Sequence, residues 1–322
     1  MPVLEKSDVD LLMELQYHFP LSETPFAEVA HRLGIKEEDV LNRARILVGR
    51  NVLKRIGMYV SFRAKGMEGA LVGASIPPHN VESFRRTALG VREITHNFVR
   101  THPQFNIWFV IKEPTRRELE EKVKELMNRT ESRNYIILYS KKTLKLSVKY
   151  DLRRGVSWSE PEVIEERIPT FDQLGLDQSL GKALSSPLPI VERPFSQIAS
   201  QFGYSEQELI DLVKELREKK VVKDYGGTVN GEKAGITENA MVLISSDNVE
   251  KSCDALARNV GEATHVVLRE ADKRWDYLCY CMLHGSSRAV IDGVVGKVVE
   301  LTSASSYMEL FSLDNLKPGI VV

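Results

Sequence analysis

The sequence predicts an α+β fold built twice in tandem, and three observations lead there. A single residue offset recurs along the chain, the first third of each copy has helical periodicity, and the rest of each copy alternates strand-like with helix-like segments. The offset is 169 residues, carrying Pro20 to Pro189, Phe26 to Phe195, Gly34 to Gly203, Lys54 to Lys223, Gly57 to Gly226, Gly66 to Gly235, His96 to His265 and Arg100 to Arg269. Small compensating gaps are needed between Gly66 and His96. Two copies of one fold are expected to face each other about a pseudo-twofold axis, as subunits of a homodimer do.

Taken in order, TPFAEVAHRLG places Phe26, Val29, Ala30 and Leu33 at helical spacing, and Gly34 ends the segment. IKEEDVLNRARILVGRNVLKRIG follows with Val40, Leu41, Ala44 and Leu47 on one face. The second copy repeats the pair as RPFSQIASQFG and YSEQELIDLVKELREKKVVKDYG. Two short helices around a glycine turn, then a short apolar strand, read as a winged helix-turn-helix. Beyond it MYVSFRA, ALVGASI, EITHNFVR, NIWFVI and NYIILYS are strand-like, while VESFRRTALG and TRRELEEKVKELMNRT are helix-like. The second copy has AMVLISS, THVVLRE, DYLCYCMLHG and SYMELFSL around the helical VEKSCDALARNV and SSRAVIDGVVGKVVEL. That order suits a βαββαβ ferredoxin-like unit. The expected layout is therefore helix-turn-helix at 1–57, ferredoxin-like at 58–157, a linker at 158–168, helix-turn-helix at 169–226 and ferredoxin-like at 227–322.

Composition narrows the function classes. With 44 Lys+Arg against 45 Asp+Glu, 43% hydrophobic and 28% charged residues, the 322-residue chain is a soluble globular type with length for about two domains. A net charge of -1 lacks the basic bias of a nucleic-acid binder. The three cysteines, Cys253, Cys279 and Cys281, are an odd, sparse set with no Cys-x-x-Cys pair, which argues for a reducing compartment, the cytoplasm, and against a zinc site. The opening MPVLEKSDVD is charged, and no apolar run approaches the ~18 residues of a membrane span. No nucleophile elbow, phosphate-binding glycine loop or paired-carboxylate signature stands out.

The helix-turn-helix is a poor DNA reader. Recognition helices present their N-terminal residues to base edges, and here those are Glu37, Glu38 and Asp39, with Glu206, Glu208 and Asp211 in the second copy. Carboxylates suit a helix N-terminus but oppose phosphate. Arg43, Arg45 and Arg50 supply some balancing positive charge in the first copy, and a packing or dimer-scaffold role is the expectation.

The chemistry-bearing stretch is ITHNFVRTHPQFNIWFVI. As a strand, Ile94–Arg100 puts Ile94, His96, Phe98 and Arg100 on one face and Thr95, Asn97 and Val99 on the other. His96 and Arg100 then stand ~13 Å apart with Phe98 between them, a face able to cradle a large flat anion. The second copy keeps His265, Val267 and Arg269 in the same places. Arg55 adds a cation that the second copy replaces with Asp224, so one copy is expected to carry the chemistry and the other to support it.

With these residues in view, the chain resembles the siroheme decarboxylases, relatives of the Lrp/AsnC regulators with the same helix-turn-helix plus ferredoxin-like, effector-type layout. The resemblance rests on Arg55-Ile56-Gly57, on His96-Asn97-Phe98 with Arg100, and on Asn106-Ile107-Trp108-Phe109. It spans nearly the whole chain, as two family members fused head to tail. The second half retains His265, Arg269 and His284-Gly285, but has Asp224-Tyr225-Gly226 and Val266-Val267 in place of the other motifs. The resemblance implies decarboxylation of siroheme at two acetate side chains to 12,18-didecarboxysiroheme, on an alternative route to haem b or haem d1. It implies no cofactor beyond the iron tetrapyrrole substrate, whose macrocycle delocalises the electrons left by CO2. His96 and His265 are then expected to approach the macrocycle from opposite halves, one as proton donor and either able to ligate the substrate iron, with Arg55, Arg100 and Arg269 as carboxylate clamps. Asn97, Phe98 and Trp108 complete the expected binding set. The expected partners are siroheme or a related tetrapyrrole and an internal pseudo-dimer, with room for a homodimer. An Lrp/AsnC-type transcription regulator and a non-catalytic tetrapyrrole sensor are the alternatives.

Overall fold

The structure, a computed structural model, describes residues 4–160 and 168–317. The first copy runs α1 (Lys6–Tyr17), α2 (Pro25–Leu33), α3 (Glu37–Gly49), β1 (Leu53–Val60), β2 (Glu68–Ala74), α4 (Val81–Gly90), β3 (Ile94–Arg100), β4 (Ile107–Glu113), α5 (Arg116–Arg129) and β5 (Tyr135–Leu146). Two short strands follow, β6 (Tyr150–Asp151) and β7 (Val156–Ser157). The second copy runs α6 (Gln178–Ser185), α7 (Ser196–Phe202), α8 (Glu206–Glu218), β8 (Val222–Val229), β9 (Glu238–Ser245), α9 (Val249–Asn259), β10 (His265–Ala271), β11 (Cys279–Gly285), α10 (Arg288–Thr302) and β12 (Ser306–Asn315).

Local chemistry sets the helix ends. Pro25 opens α2, and Gly34 closes it with φ 66°; Gly203 closes α7 with φ 75°, a left-handed conformation that a side chain would strain. Ser205 and Glu208 form a reciprocal capping box on α8, and Thr115 caps α5 by accepting from the Glu118 N–H. α1, which the sequence reading left unassigned, buries Leu11, Leu12 and Leu15.

The two ferredoxin-like units pair edge to edge into one closed barrel. Within the units the strand orders are β5-β2-β4-β3 and β12-β9-β11-β10, and the seams are β3 with β12 and β5 with β10. The seams are pseudo-symmetric: Arg100 lies opposite Ser312 in one, and Arg269 opposite Ser140 in the other. Strand pairing that could have joined two chains is thus satisfied within one. Outside the barrel, α4 and α5 cover the first unit's core around Phe84 and Phe109, and α9 and α10 cover the second's around Leu256 and Val298. Inside it, Trp108, Leu138, Leu243, Tyr280 and Leu310 interdigitate. The helix-turn-helix pair shares a single core containing Phe26, Phe195 and Tyr225, and its strands β1 and β8 pair antiparallel with Gly57 opposite Gly226.

Several expectations are corrected. β1 spans residue 57 and β8 spans residue 226, so the expected domain boundaries fall inside strands. Of the expected linker 158–168, residues 161–167 lie outside the described residues, whereas Trp158 and Ser159 are anchored through N–H bonds to Lys149 and Gly261 carbonyls. Cys253 and Cys279 are joined as a disulfide where α9 packs on β11, at a Cα separation of 5.7 Å, so only Cys281 is a free, buried thiol. Ile94 does not share the His96 face: a register shift between Ile94 and His96 turns Ile94 into the helix-side core, and only His96, Phe98 and Arg100 stay on the inner face. Among the described residues no helix is long and apolar enough to cross a membrane.

Candidate functional site

Where β1 crosses the end of the barrel, it encloses a cavity of about 250 Å³. Its walls are Arg55, Met58, Tyr59 and Val60 of β1, Phe62, Lys65 and Met67 of the following loop, Arg92, Glu93, Thr95 and His96 at the start of β3, Lys112 near the end of β4, Leu146 and Ser185. Four of these side chains are cationic, Arg55, Lys65, Arg92 and Lys112, and one, Glu93, is a carboxylate. Crowding like charges where burial limits their hydration, as at Arg55 and Lys112, costs free energy that an anionic ligand would offset.

Arg55 is held in place from the protein side. Its Nη1 donates to the Ser185 carbonyl at 2.6 Å, at the C-terminal end of α6, and its Nη2 donates to the Met58 carbonyl at 2.6 Å. The guanidinium lies 5.2 Å from the Tyr59 ring centroid. Burial, then the nearby Lys65, pushes the Lys112 ammonium down to about 8. That ammonium sits 5.5 Å from the Phe62 ring centroid.

His96 sits deep in the fold, yet its imidazole is exposed, because its free surface is cavity wall. Its Nδ1 lies 3.1 Å from the Thr95 Oγ1. Burial, followed by the charges of Lys112, His265, Arg100 and Lys54, pushes it down to about 3. His265 is lowered to about 4 by burial, Lys223, Arg269 and Lys112, and His284 to about 3 by burial, His265, Arg100 and Lys54. All three imidazoles are therefore neutral at neutral pH. Among the described residues no group of three or more His, Cys, Asp or Glu could hold a metal ion.

The expected site residues divide into two sets. His96 and Arg55 line the cavity together. Arg100 and Arg269 do not: they brace the barrel seams from inside. Arg100 Nη1 donates to the Leu310 carbonyl at 3.0 Å and stacks 4.8 Å over Phe98; Arg269 Nη1 donates to the Leu138 carbonyl at 3.1 Å and stacks 5.0 Å over Tyr280. Trp108 is barrel core rather than cavity wall, its Nε1 donating to the Phe105 carbonyl at 2.9 Å and its ring filling the space that Gly73 leaves open. Asn97 is fully buried, opposite the helix-core residue Phe109 and away from the cavity. Sequence reading missed Lys112, Lys65, Arg92, Tyr59 and Phe62. For Lys112 a signal existed, since the period-two face that begins at Trp108 passes through Val110 to Lys112.

The cations of α3 are engaged within the chain. Arg43 and Arg50 pair with Asp8 at 3.2 and 3.6 Å, and Arg45 donates to the Ile190 carbonyl at 2.8 Å.

Comparison with known proteins places these features in context. The AsnC-like ligand binding domain matches residues 64–145 and 233–317, and the siroheme decarboxylase NirDL-like helix-turn-helix domain matches 8–53 and 177–222. A siroheme decarboxylase of Hydrogenobacter thermophilus (strain DSM 6534 / IAM 12695 / TK-6) is 26% identical over 95% of this chain and 92% of its own length. The siroheme decarboxylase beta subunit of Desulfovibrio desulfuricans (strain ATCC 27774 / DSM 6949 / MB) is 31% identical over 44% of this chain and 90% of that subunit, so one separate subunit corresponds to about half of the chain. Among solved structures, the siroheme decarboxylase NirDL in co-complex with an iron-uroporphyrin III analogue superposes with a TM-score of 0.65 at 23% identity, covering 97% of this chain and 92% of that one.

Proposed function

The chain belongs to the family that joins siroheme decarboxylase NirDL-like helix-turn-helix domains to AsnC-like ligand binding domains, and we propose from this that it is itself a siroheme decarboxylase, removing CO2 from two acetate arms of siroheme. The observation that carries the reading is the cavity, in which four cations against one carboxylate converge on an accessible neutral imidazole. An iron tetrapyrrole bearing eight carboxylates supplies the missing negative charge, and a relative has been solved with an iron-uroporphyrin III analogue.

In this mechanism Arg55, Lys65, Arg92 and Lys112 hold carboxylates of the substrate, and Tyr59 and Phe62 offer ring walls. The bond between the acetate methylene and its carboxylate breaks, CO2 leaves neutral, and the bonding pair passes into the conjugated macrocycle. His96 delivers the proton that converts the methylene to a methyl group, then recovers a proton from solvent. Burial and, after it, neighbouring cations lower its pKa; bound carboxylates offset the second cause, so substrate favours the charged form of the donor. The same imidazole, neutral before binding, is also able to ligate the substrate iron. His265 stands as a second neutral imidazole on the other half of the barrel, and Arg100 and Arg269 hold the seams that position the strands carrying the two histidines. The reaction needs no electron sink besides the substrate. The helix-turn-helix pair roofs the cavity through β1, and Arg43 and Arg45 of α3, with Arg50 just after it, make intrachain contacts.

Anaerobic incubation with siroheme, then mass spectrometry of the extracted tetrapyrrole, tests this. Loss of two CO2 units is expected, with His96→Ala reducing turnover while siroheme stays bound. Siroheme recovered unchanged from the wild-type chain refutes the reading.

A further inference from the structure

We propose that Lys112 is a second proton donor of the cavity, serving one of the two acetate arms while His96 serves the other. This rests on the decarboxylase reading above and adds to it a named donor for each carbon–carbon bond that breaks.

Each arm that loses CO2 needs one proton at its methylene, and two arms of one rigid macrocycle lie at different places along the cavity wall. An imidazole fixed on a strand reaches one of them at a time. The wall holds few other groups able to give up a proton. The guanidinium groups of Arg55 and Arg92 keep theirs, and Glu93, when ionised, only accepts. The Tyr59 hydroxyl is pushed above its ordinary value by desolvation. Lys65 is carried by the loop after β1, whereas Lys112 is carried by β4, within the hydrogen-bonded frame of the barrel.

Strand register sets Lys112 beside His96. His96 pairs with Val110 across β3 and β4, and Lys112 stands two residues further along the same face, a diagonal separation of about 7–8 Å that a long side chain spans. Its backbone N–H donates to the Glu93 carbonyl at 3.0 Å, which fixes this end of β4 against the start of β3. The ammonium lies 5.5 Å from the Phe62 ring centroid, and its charge is felt by His96 and, across the barrel end, by His265. Burial and then Lys65 bring it down to about 8, so it is mostly charged at neutral pH yet releases its proton more readily than an exposed lysine. The second half places an imidazole there instead: two residues beyond Met282, the partner of His265, stands His284, whose ring meets Tyr150 edge-on at 5.6 Å. The Lys112 ammonium first pairs with the acetate it serves. The bond from methylene to carboxylate then breaks, CO2 leaves, the bonding pair passes through the macrocycle, and a proton from the ammonium bonds to the methylene carbon to complete a methyl group. Lys112 is left as a neutral amine and regains a proton from solvent, so each CO2 released consumes one proton.

The test is anaerobic single-turnover reaction of the full chain with siroheme, sampled over time by mass spectrometry, with each variant's fold checked by thermal unfolding. Lys112→Arg keeps the charge but releases no proton. It is expected to bind siroheme within about threefold of wild type and to remove one CO2 normally and the other about 100-fold more slowly, so that a monodecarboxylated species accumulates. Lys112→Met is expected to bind more weakly, yet to halt at the same species when siroheme is saturating. A folded Lys112→Arg chain that removes both CO2 units at wild-type rates overturns this proposal alone, as does one in which both steps slow equally. A wild-type chain that returns siroheme unchanged overturns the decarboxylase reading as well.

Discussion

Filling the cavity with a polyanionic tetrapyrrole is expected to draw protons from solution. Burial and neighbouring cations hold His96 at about 3, His265 at about 4 and His284 at about 3, so each is neutral at pH 7. Carboxylates placed among Arg55, Lys65, Arg92 and Lys112 offset the repulsion that His96 feels. Ligand charge raises the His96 value by acting on the electrostatic causes of its depression, while burial, the larger cause, persists. Net proton uptake on binding, of less than one proton per ligand from His96, is the expected sign. Linkage then requires affinity to weaken as pH rises, by up to about tenfold per unit for each proton taken up, between the free and bound values. The assay is isothermal calorimetry of iron uroporphyrin III binding at pH 7 in buffers of different ionisation enthalpy. Ligand carboxylates are already ionised there, and Lys112, at about 8, is already mostly charged, so neither dominates the signal. His96→Gln should lose most of the uptake. Proton release by the wild-type chain, no dependence on buffer, or an undiminished uptake in His96→Gln would refute the reasoning.

Other outcomes concern stability. Gly261→Ala drives a methyl to 2.4 Å from Trp158 Nε1, and a loss of about 1–3 kcal/mol is expected in urea unfolding; an unchanged midpoint would show that the ring yields freely. Lys145→Met removes the donor shared by the Ser159, Val260 and Gly261 carbonyls, the last two of which keep the Ala263 and Ser159 N–H groups, and should destabilise the chain by about 1–3 kcal/mol, with Lys145→Arg recovering only part. Because His265 and His284 are held below their ordinary value when folded, the unfolded chain binds protons first, and the melting temperature should fall as pH drops from about 6.5 to 5. A melting temperature flat over that window would contradict their depressed values.

Much of this was legible in residue order. The helix VESFRRTALG coincides with α4, and the His96, Phe98 and Arg100 alternation survives as the inner face of β3. What failed did so for nonlocal reasons. The bulge at Thr95 depends on the register of β3 against β4, and nothing in ITHNFVR announces it. Arg100 and Arg269 read as free cations, but the seams give each a carbonyl from the opposite half. Lys112 lay on a readable face, but only the path of β1 over the barrel end makes that face a cavity.

The sequence by itself determined the duplication, the order of elements and the pair of histidines, because self-similarity, hydrophobic period and capping act over a few residues and need no partner. The tertiary structure alone decided the barrel closure, the Cys253–Cys279 bond and the inequality of the halves. Closure depends on hydrogen bonds between strands far apart in the chain, for which many edges compete equally in the sequence. The inequality depends on where Tyr150 and Trp158 come to rest, and a glycine at 231 or 261 reads as a turn until a ring from the other half is seen to fill the space it leaves.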